Sequence, residues 1–385
     1  MNPYIFIEIL GVLLGIFLLK FAPSYRTLFQ NNENITSVEN YKRNEVIDFI
    51  RGVATLGTII IHIDSYFTYF HPNNVELKIT RLFSNYYRFC VPIFIFSSAV
   101  FLNYKTRSSY WKPRINKLFL PYFLIAILGF FIKYNDIQKV GVWNFIIQIL
   151  LGKVYEPYYF IPMIFQFYFL YFIFHKVIEK LKNKNLTILI LFSLLINIFS
   201  NQYFALEHSE EINRWQVLSC TNYFFFFVIG LVMKRKLLFK NEFMELFHSN
   251  RNLYLLVLAI IIYNSFIAYF TFFNFFENSS RFVFYPFVAF ITLIYLGHYL
   301  ENSTNSSLNY IYHTCIYIGK NSLVIFLLHP IIMHLMHQFD PYTMYGPLWA
   351  WILTLLINIF IPLLLWKSAF YPFYKLKIPI QNNQS

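Results

Sequence analysis

Charge is what this chain has least of. Acidic and basic residues make up 13% of its 385 positions, about half of the roughly 25% typical of a soluble domain. Hydrophobic residues make up 58%, more than a soluble core of this length can bury, so a soluble globular fold is excluded. Cysteine is scarcer still. Cys90, Cys220 and Cys315 are isolated and odd in number, which excludes a disulfide framework and gives no zinc-ligand spacing; they read as free, buried thiols. There is no internal repeat and no linker long enough to separate two domains.

Acidic residues are the rarer sign, 18 against 31 Lys and Arg. The resulting net charge of +13 invites a nucleic-acid partner, which its distribution refutes. The basic residues sit in short loops between apolar runs, as membrane orientation requires, and none forms a separate basic stretch interleaved with accessible aromatics. The partner implied is membrane lipid, with no nucleic acid.

What the chain has in abundance is apolar runs of bilayer length, about 17 to 25 residues. They fall at about 3–21, 46–66, 85–103, 118–133, 157–176, 185–200, 218–233, 252–272, 282–299, 321–337 and 347–366. The fold class is all-α: a polytopic transmembrane helix bundle of about ten core spans with one extra N-terminal span. Val140 to Leu151 is apolar but too short to cross, and reads as interfacial or re-entrant. Pro3 to Phe21 has no basic residue before it, and Lys20 and Arg26 follow, so it reads as an uncleaved span rather than a signal peptide. Glu8 within it is expected to face a protein interior. The 48 Phe and 31 Tyr read mostly as lipid-facing or packing residues.

Residues 43 to 65, RNEVIDFIRGVATLGTIIIHIDS, carry the chemistry. Asp48, Arg51, Thr55, Thr58, His62 and Ser65 are spaced by 3, 4, 3, 4 and 3 residues, which puts all six on one helical face. A polar stripe on an apolar helix must face a water-filled cavity or partner groups, because lipid penalises it. Arg51 and His62 lie eleven residues apart, so they align on that face roughly 16 Å apart along the axis. A permanent cation near the cytoplasmic end suits a phosphate-bearing donor. An imidazole deeper in suits proton abstraction from a hydroxyl, since its ordinary pKa lies near 6.5. The plainer reading pairs Asp48 with Arg51 and buries His62 as a satisfied core histidine; six aligned positions favour the functional one. Asp64, on the opposite face, reads as structural. His329, His334 and His337 share a late helix, but no further ligands complete a metal site.

Here the sequence resembles the acyltransferase-3 family of bacterial membrane O-acyltransferases. The resemblance rests on Arg51, ten residues, then His62, with Asp48 before them. Further segments resemble the family in order: VPIFIFSSAVFLN from Val91, where Ser98 replaces the usual Gly after Ser97, and WKPRINKLFLPY from Trp111, with Arg114, Lys117 and Pro121. Then come YYFIPMIFQFYFLY from Tyr158, with Tyr159 where Trp is common and Gln166 where Glu is, and NSLVIFLLHP from Asn321, ending in His329 and Pro330. The division implied is 1–42, an extra span and cytoplasmic loop; 43–370, an acyltransferase-3-like membrane domain; and 371–385, a short cytoplasmic tail. Within the family, the aromatic-rich composition is similar to membrane proteins of staphylococcal exopolysaccharide and capsule clusters.

The resemblance implies an acyl-CoA donor, acetyl-CoA above all, used as a substrate with no bound cofactor and no metal. The acceptor implied is a hydroxyl of a cell-surface or exported polysaccharide or its lipid-linked glycan precursor. Partners implied are glycan-synthesis machinery or a separate extracytoplasmic transferase. His62 is the implied base or transient acyl carrier, with Arg51 and Asp48 beside it in the catalytic set. Arg114 and Lys117 either contact donor phosphate or are ordinary cytoplasmic charge. Thr55, Thr58, Arg88, Ser97, Tyr159, Gln166 and His329 are candidates for the cavity and acceptor side, Arg88 having a snorkelling role as its alternative. An exporter of a glycan or lipid-linked sugar is the competing function, using the same cavity as a path.

Lys and Arg divide 22 to 8 between alternate sides of these spans, with Arg51 inside one. The excess marks the cytoplasmic side, putting the C-terminus in the cytoplasm and the N-terminus outside a bacterial plasma membrane. A reporter fused after Ser385 is expected to be active only in the cytoplasm, and one placed within 201–209 only outside. A C-terminal fusion active on the outer face overturns the span order.

Overall fold

The computed structural model describes residues 45–71, 80–81, 84, 86–134, 140–181, 183–206, 218–236, 284–339 and 346–370, and every regular element among them is helical. The spans expected at 3–21 and 252–272 and the tail beyond 370 lie outside the described residues. In chain order the helices are α1 (Glu45–Phe70), α2 (Cys90–Val100), α3 (Arg107–Arg114), α4 (Leu120–Tyr134), α5 (Val142–Leu150) and α6 (Phe160–Lys180). After these come α7 (Asn183–Leu206), α8 (Phe224–Lys236), α9 (Phe284–Glu301), α10 (Ser306–Lys320), α11 (Ser322–His337) and α12 (Pro347–Leu365).

Four helical stretches are long and apolar enough to cross a membrane: Glu45–Phe67, Arg107–Tyr134, Glu156–Lys180 and Pro347–Ser368. A fifth is the pair α10 and α11, if the two count as one span bent by 76°. Together they mark the chain as a helical membrane protein. The spans expected at 85–103 and 218–233 are shorter helices, α2 with 11 residues and α8 with 13.

Between the spans expected at 282–299 and 321–337 the chain forms one more helix, α10. Polar residues break its hydropathy, but they lie on one side: Tyr312, Cys315, Ile316, Ile318 and Gly319 are buried while Asn309 and His313 are exposed. The Asn305 side chain accepts from the amides of Ser307 and Leu308 at 2.9 and 3.3 Å, an N-cap that starts the helix.

The centre of the bundle is α1. It packs against α2, α9, α10, α11 and α12, and 67% of its most apolar stretch is buried against 28–33% in the other three long spans. Those outer helices show Leu124, Leu128, Phe169 and Leu364 outward, as lipid contact requires. The closest approach is α1 to α10. A β-carbon at Gly52 would overlap the Cys315 carbonyl, and one at Gly319 would overlap the Asp48 carbonyl. Only glycine lets the two backbones meet there.

Tyrosine proves to be a core residue: Tyr110, Tyr122, Tyr158, Tyr285 and Tyr312 are among the largest fully buried side chains. A phenol in an apolar interior needs a partner, and four of these five donate to backbone carbonyls. Tyr110 donates to Tyr168 and Tyr158 to Leu327, both at 2.7 Å, while Tyr122 and Tyr285 donate to Ile149 and Tyr86. The Tyr158 bond ties the turn before α6 to the middle of α11.

Gly319→Ala is expected to cost about 1–3 kcal/mol through overpacking, read as a lower unfolding temperature in detergent. Leu128→Ala, on a lipid-facing position, is expected to change it little. Equal unfolding temperatures for Gly319→Ala and the parent would show that the crossing is not the tight contact described.

Candidate active site

The polar stripe of α1 runs beside α11. Near its start Asp48 is buried at 1% exposure. One turn on, Arg51 Nη2 donates to Ser322 Oγ at 3.1 Å. Ser322 begins α11 just after the 76° bend at Asn321, so the bend brings a helix start with its outward amides beside the guanidinium. Both favour an anion. Thr55 and Thr58 donate to their own helix, to the Arg51 and Ala54 carbonyls at 2.7 and 2.9 Å, and Ser65 does the same to Ile61 while exposed.

His62, half-buried, faces His329 with ring centroids 5.6 Å apart. His329 is fully buried, and its Nδ1 lies 3.0 Å from the Ile325 carbonyl. A carbonyl only accepts, so Nδ1 carries the proton and Nε2 of neutral His329 holds a lone pair. Nε2 is buried and has no hydrogen-bond partner among the described residues.

Beside Arg51 lies a cavity of about 210 Å³, lined chiefly by Arg51, Ser98, Tyr168, Ser322, Phe94 and Phe326. Next to it is a slot lined by Thr55, Thr58, Ile59, Phe94, Ile325, Phe326 and His329, with no room for a water molecule. Phe94 and Phe326 belong to both. The stripe therefore links an open, cationic chamber to a closed, histidine-lined one.

The remaining candidates separate. Arg88 is half-buried and interacts electrostatically with His62, Asp64, Glu156 and Tyr159, so it belongs to the His62 end. Asp64 accepts from Thr80 at 3.0 Å, the structural role expected of it. Tyr159 joins this end through its electrostatic interaction with Arg88, and it also hydrogen-bonds Tyr223. Ser97 instead donates to the Phe94 carbonyl at 3.1 Å, and its neighbour Ser98 lines the cavity. Gln166 holds a turn: its amide nitrogen donates to the Leu218 carbonyl at 2.8 Å and its oxygen accepts from the Cys220 amide at 3.3 Å.

The two basic candidates of the third segment also divide. Lys117 is exposed, while Arg114 is half-buried and stacks 3.6 Å over the Tyr110 ring and 5.0 Å from that of Tyr168. Arg114 directly precedes a π turn, Ile115–Phe119, an irregularity common at functional sites.

Sequence reasoning missed Ser322, Tyr168, Ser98 and Lys234. Lys234 lies at the end of α8, and its ammonium donates to the Leu102 carbonyl and lies 6.0 Å from the Tyr171 ring, within electrostatic reach of Arg114. No pattern in one sequence tells which lysine at a helix end folds back. Ser322 was legible in principle, since it follows the Asn321 that opens the last matching segment.

The acyltransferase-3 model, described as an acyltransferase domain, matches residues 44–367. A protein of Staphylococcus aureus strain MSSA476 named probable poly-beta-1,6-N-acetyl-D-glucosamine export protein is 26% identical over 309 residues, covering 74% of this chain and 81% of its own. The protein of the same name in strain MRSA252 is 26% identical over 313 residues, with the same coverage. No solved structure matches the chain. Residues 44–367 include α1 with its stripe, both sides of the cavity and the helix bearing His329, and on that match the chain belongs to the acyltransferase-3 family.

Proposed function

We propose that the protein moves an acyl group, acetyl in the first instance, from acyl-CoA to a hydroxyl of a cell-surface or exported polysaccharide or its lipid-linked precursor. The observation that carries this reading is the single face of α1. It bears a guanidinium beside a 210 Å³ cavity at one end and an imidazole opposed to a second imidazole at the other.

The donor's phosphates lie at the Arg51 and Arg114 end, which faces the cytoplasm, and its thioester reaches toward His62. Arg51 supplies charge and a planar pair of N–H donors; Ser322 holds one of them in place, and Asp48 shapes the turn before it. His62 takes the proton of the acceptor hydroxyl as the oxygen bonds to the thioester carbon. The C–S bond then breaks, and the thiolate receives that proton. Arg88 and Tyr159, at the His62 end, face the acceptor.

A second reading, glycan export, is favoured by the printed name of the relatives. Both are tested by the acyl content of surface polysaccharide, measured by NMR in a deletion strain complemented with each variant. His62→Ala is expected to abolish acylation at normal protein level. Arg51→Lys should lose most of it, because an ammonium keeps the charge without the fork. Thr55→Val should be milder. Full acylation with His62→Ala overturns the enzyme reading of the stripe, and loss of all external polymer in the deletion strain replaces it with export.

The two basic residues give a separate test with purified protein. Arg114→Gln is expected to raise the acyl-CoA concentration needed for half-maximal consumption by about ten-fold, the loss of one charge-assisted contact. Lys117→Gln, exposed at the surface, is expected to stay within about two-fold, as surface charges do. Equal effects of the two would remove Arg114 from the donor site.

A further inference from the structure

The route along the stripe, from the Arg51 cavity to the two histidines, passes between Phe94 and Phe326, the rings that line both the cavity and the closed slot. Phe94 is nearly buried and meets Phe160 edge-on at 5.9 Å. Phe160 in turn meets Phe326 at 5.6 Å, and Phe326 lies 6.0 Å from the His329 ring. Phe160 opens α6 directly after the turn that Tyr158 ties to α11 through the Leu327 carbonyl at 2.7 Å. The three rings form one supported constriction.

Its two sides are unequally held. The Phe94 carbonyl receives the Ser97 hydroxyl at 3.1 Å inside α2. The Phe326 carbonyl has no helical donor, because Pro330 lacks an N–H, and takes the His329 imidazole instead. The Phe326 side chain is half-buried where that of Phe94 is buried, so it is the ring with room to move.

Building on the acyltransferase reading, we infer that Phe326, closing against Phe94, is the residue that limits the size of the acyl group delivered to His62. The slot beyond the rings has no spare volume. A guest enters only by displacing the Phe326 ring, and every added methylene must find space in a packed interior that resists expansion. Pockets of this kind discriminate by roughly 10- to 200-fold per methylene. The substrate class that fits is therefore a short-chain acyl-CoA.

The test uses full-length protein in nanodiscs with acetyl-, butyryl- and hexanoyl-CoA, following release of free thiol at saturating acceptor glycan. The parent is expected to prefer acetyl over butyryl, two methylenes longer, by about a hundred-fold or more in kcat/KM. Phe326→Ala is expected to bring the two within about three-fold by raising butyryl turnover. Phe326→Leu, a smaller change to the packing, should shift the ratio in the same direction and decides the matter if the alanine variant does not accumulate. An unaltered ratio in the variants, or a parent that uses all three donors equally, overturns the inference while leaving acyl transfer in place. A parent that releases thiol from none of them overturns the acyl-CoA reading and the size filter with it.

Discussion

Two backbones touch where α1 crosses α10, at Gly52 and Gly319, and the rest of the site hangs from that contact. Because the helices meet without side chains between them, the bend that follows at Asn321 falls directly against the first turns of α1. That is what delivers Ser322 to Arg51 and lets α11 run beside α1 far enough for His329 to oppose His62. A wider crossing would carry α11 away from the stripe and leave the polar residues of α1 facing a gap. In a bilayer, where apolar burial gives helices little reason to associate, such close van der Waals contact and a few buried polar bonds supply the specificity.

Much of this was legible in the sequence. The 3-and-4 spacing of Asp48 through Ser65 identified the central helix and its polar face, because a polar residue in an apolar run has few places to go. The Arg51 and His62 positions, and the late helix with His329, all converge on one region of the structure. The long apolar spans were equally plain, since hydropathy alone reports them. What escaped was whatever depends on a second segment. Helix α10 is amphipathic and was hidden by its exposed polar side. Gln166 was read as cavity-lining, but a turn more than fifty residues away takes both ends of its amide. The difference between Ser97 and Ser98 is about 100° on a helix, and that between Lys117 and Lys234 is which helix end turns its lysine inward; neither leaves a trace in spacing.

The relatives' printed name and the family to which the chain belongs point to different verbs, export and acyl transfer, for one architecture. The stripe accounts for both. A membrane path and a transmembrane acyl-transfer site each need polar groups spread over the depth of a helix bundle, and α1 provides them from Asp48 to Ser65. What the proposed acyl transfer adds to a path is a titratable group on that face, and His62, opposite the fully buried His329, is the residue proposed for it.

The hydroxyls of the slot have a consequence of the same kind. Thr55 and Thr58 have already given their protons to α1, and His329 has given its own to α11. Those three polar groups in the slot therefore present only lone pairs, and its hydrogen-bonding has one polarity. Toward them the acceptor hydroxyl of the proposed reaction finds a lone pair, while an acyl group, which carries no donor, is left to the apolar walls of Phe94, Ile325 and Phe326. The backbone, by claiming the protons first, has made the helix face a reader of donors.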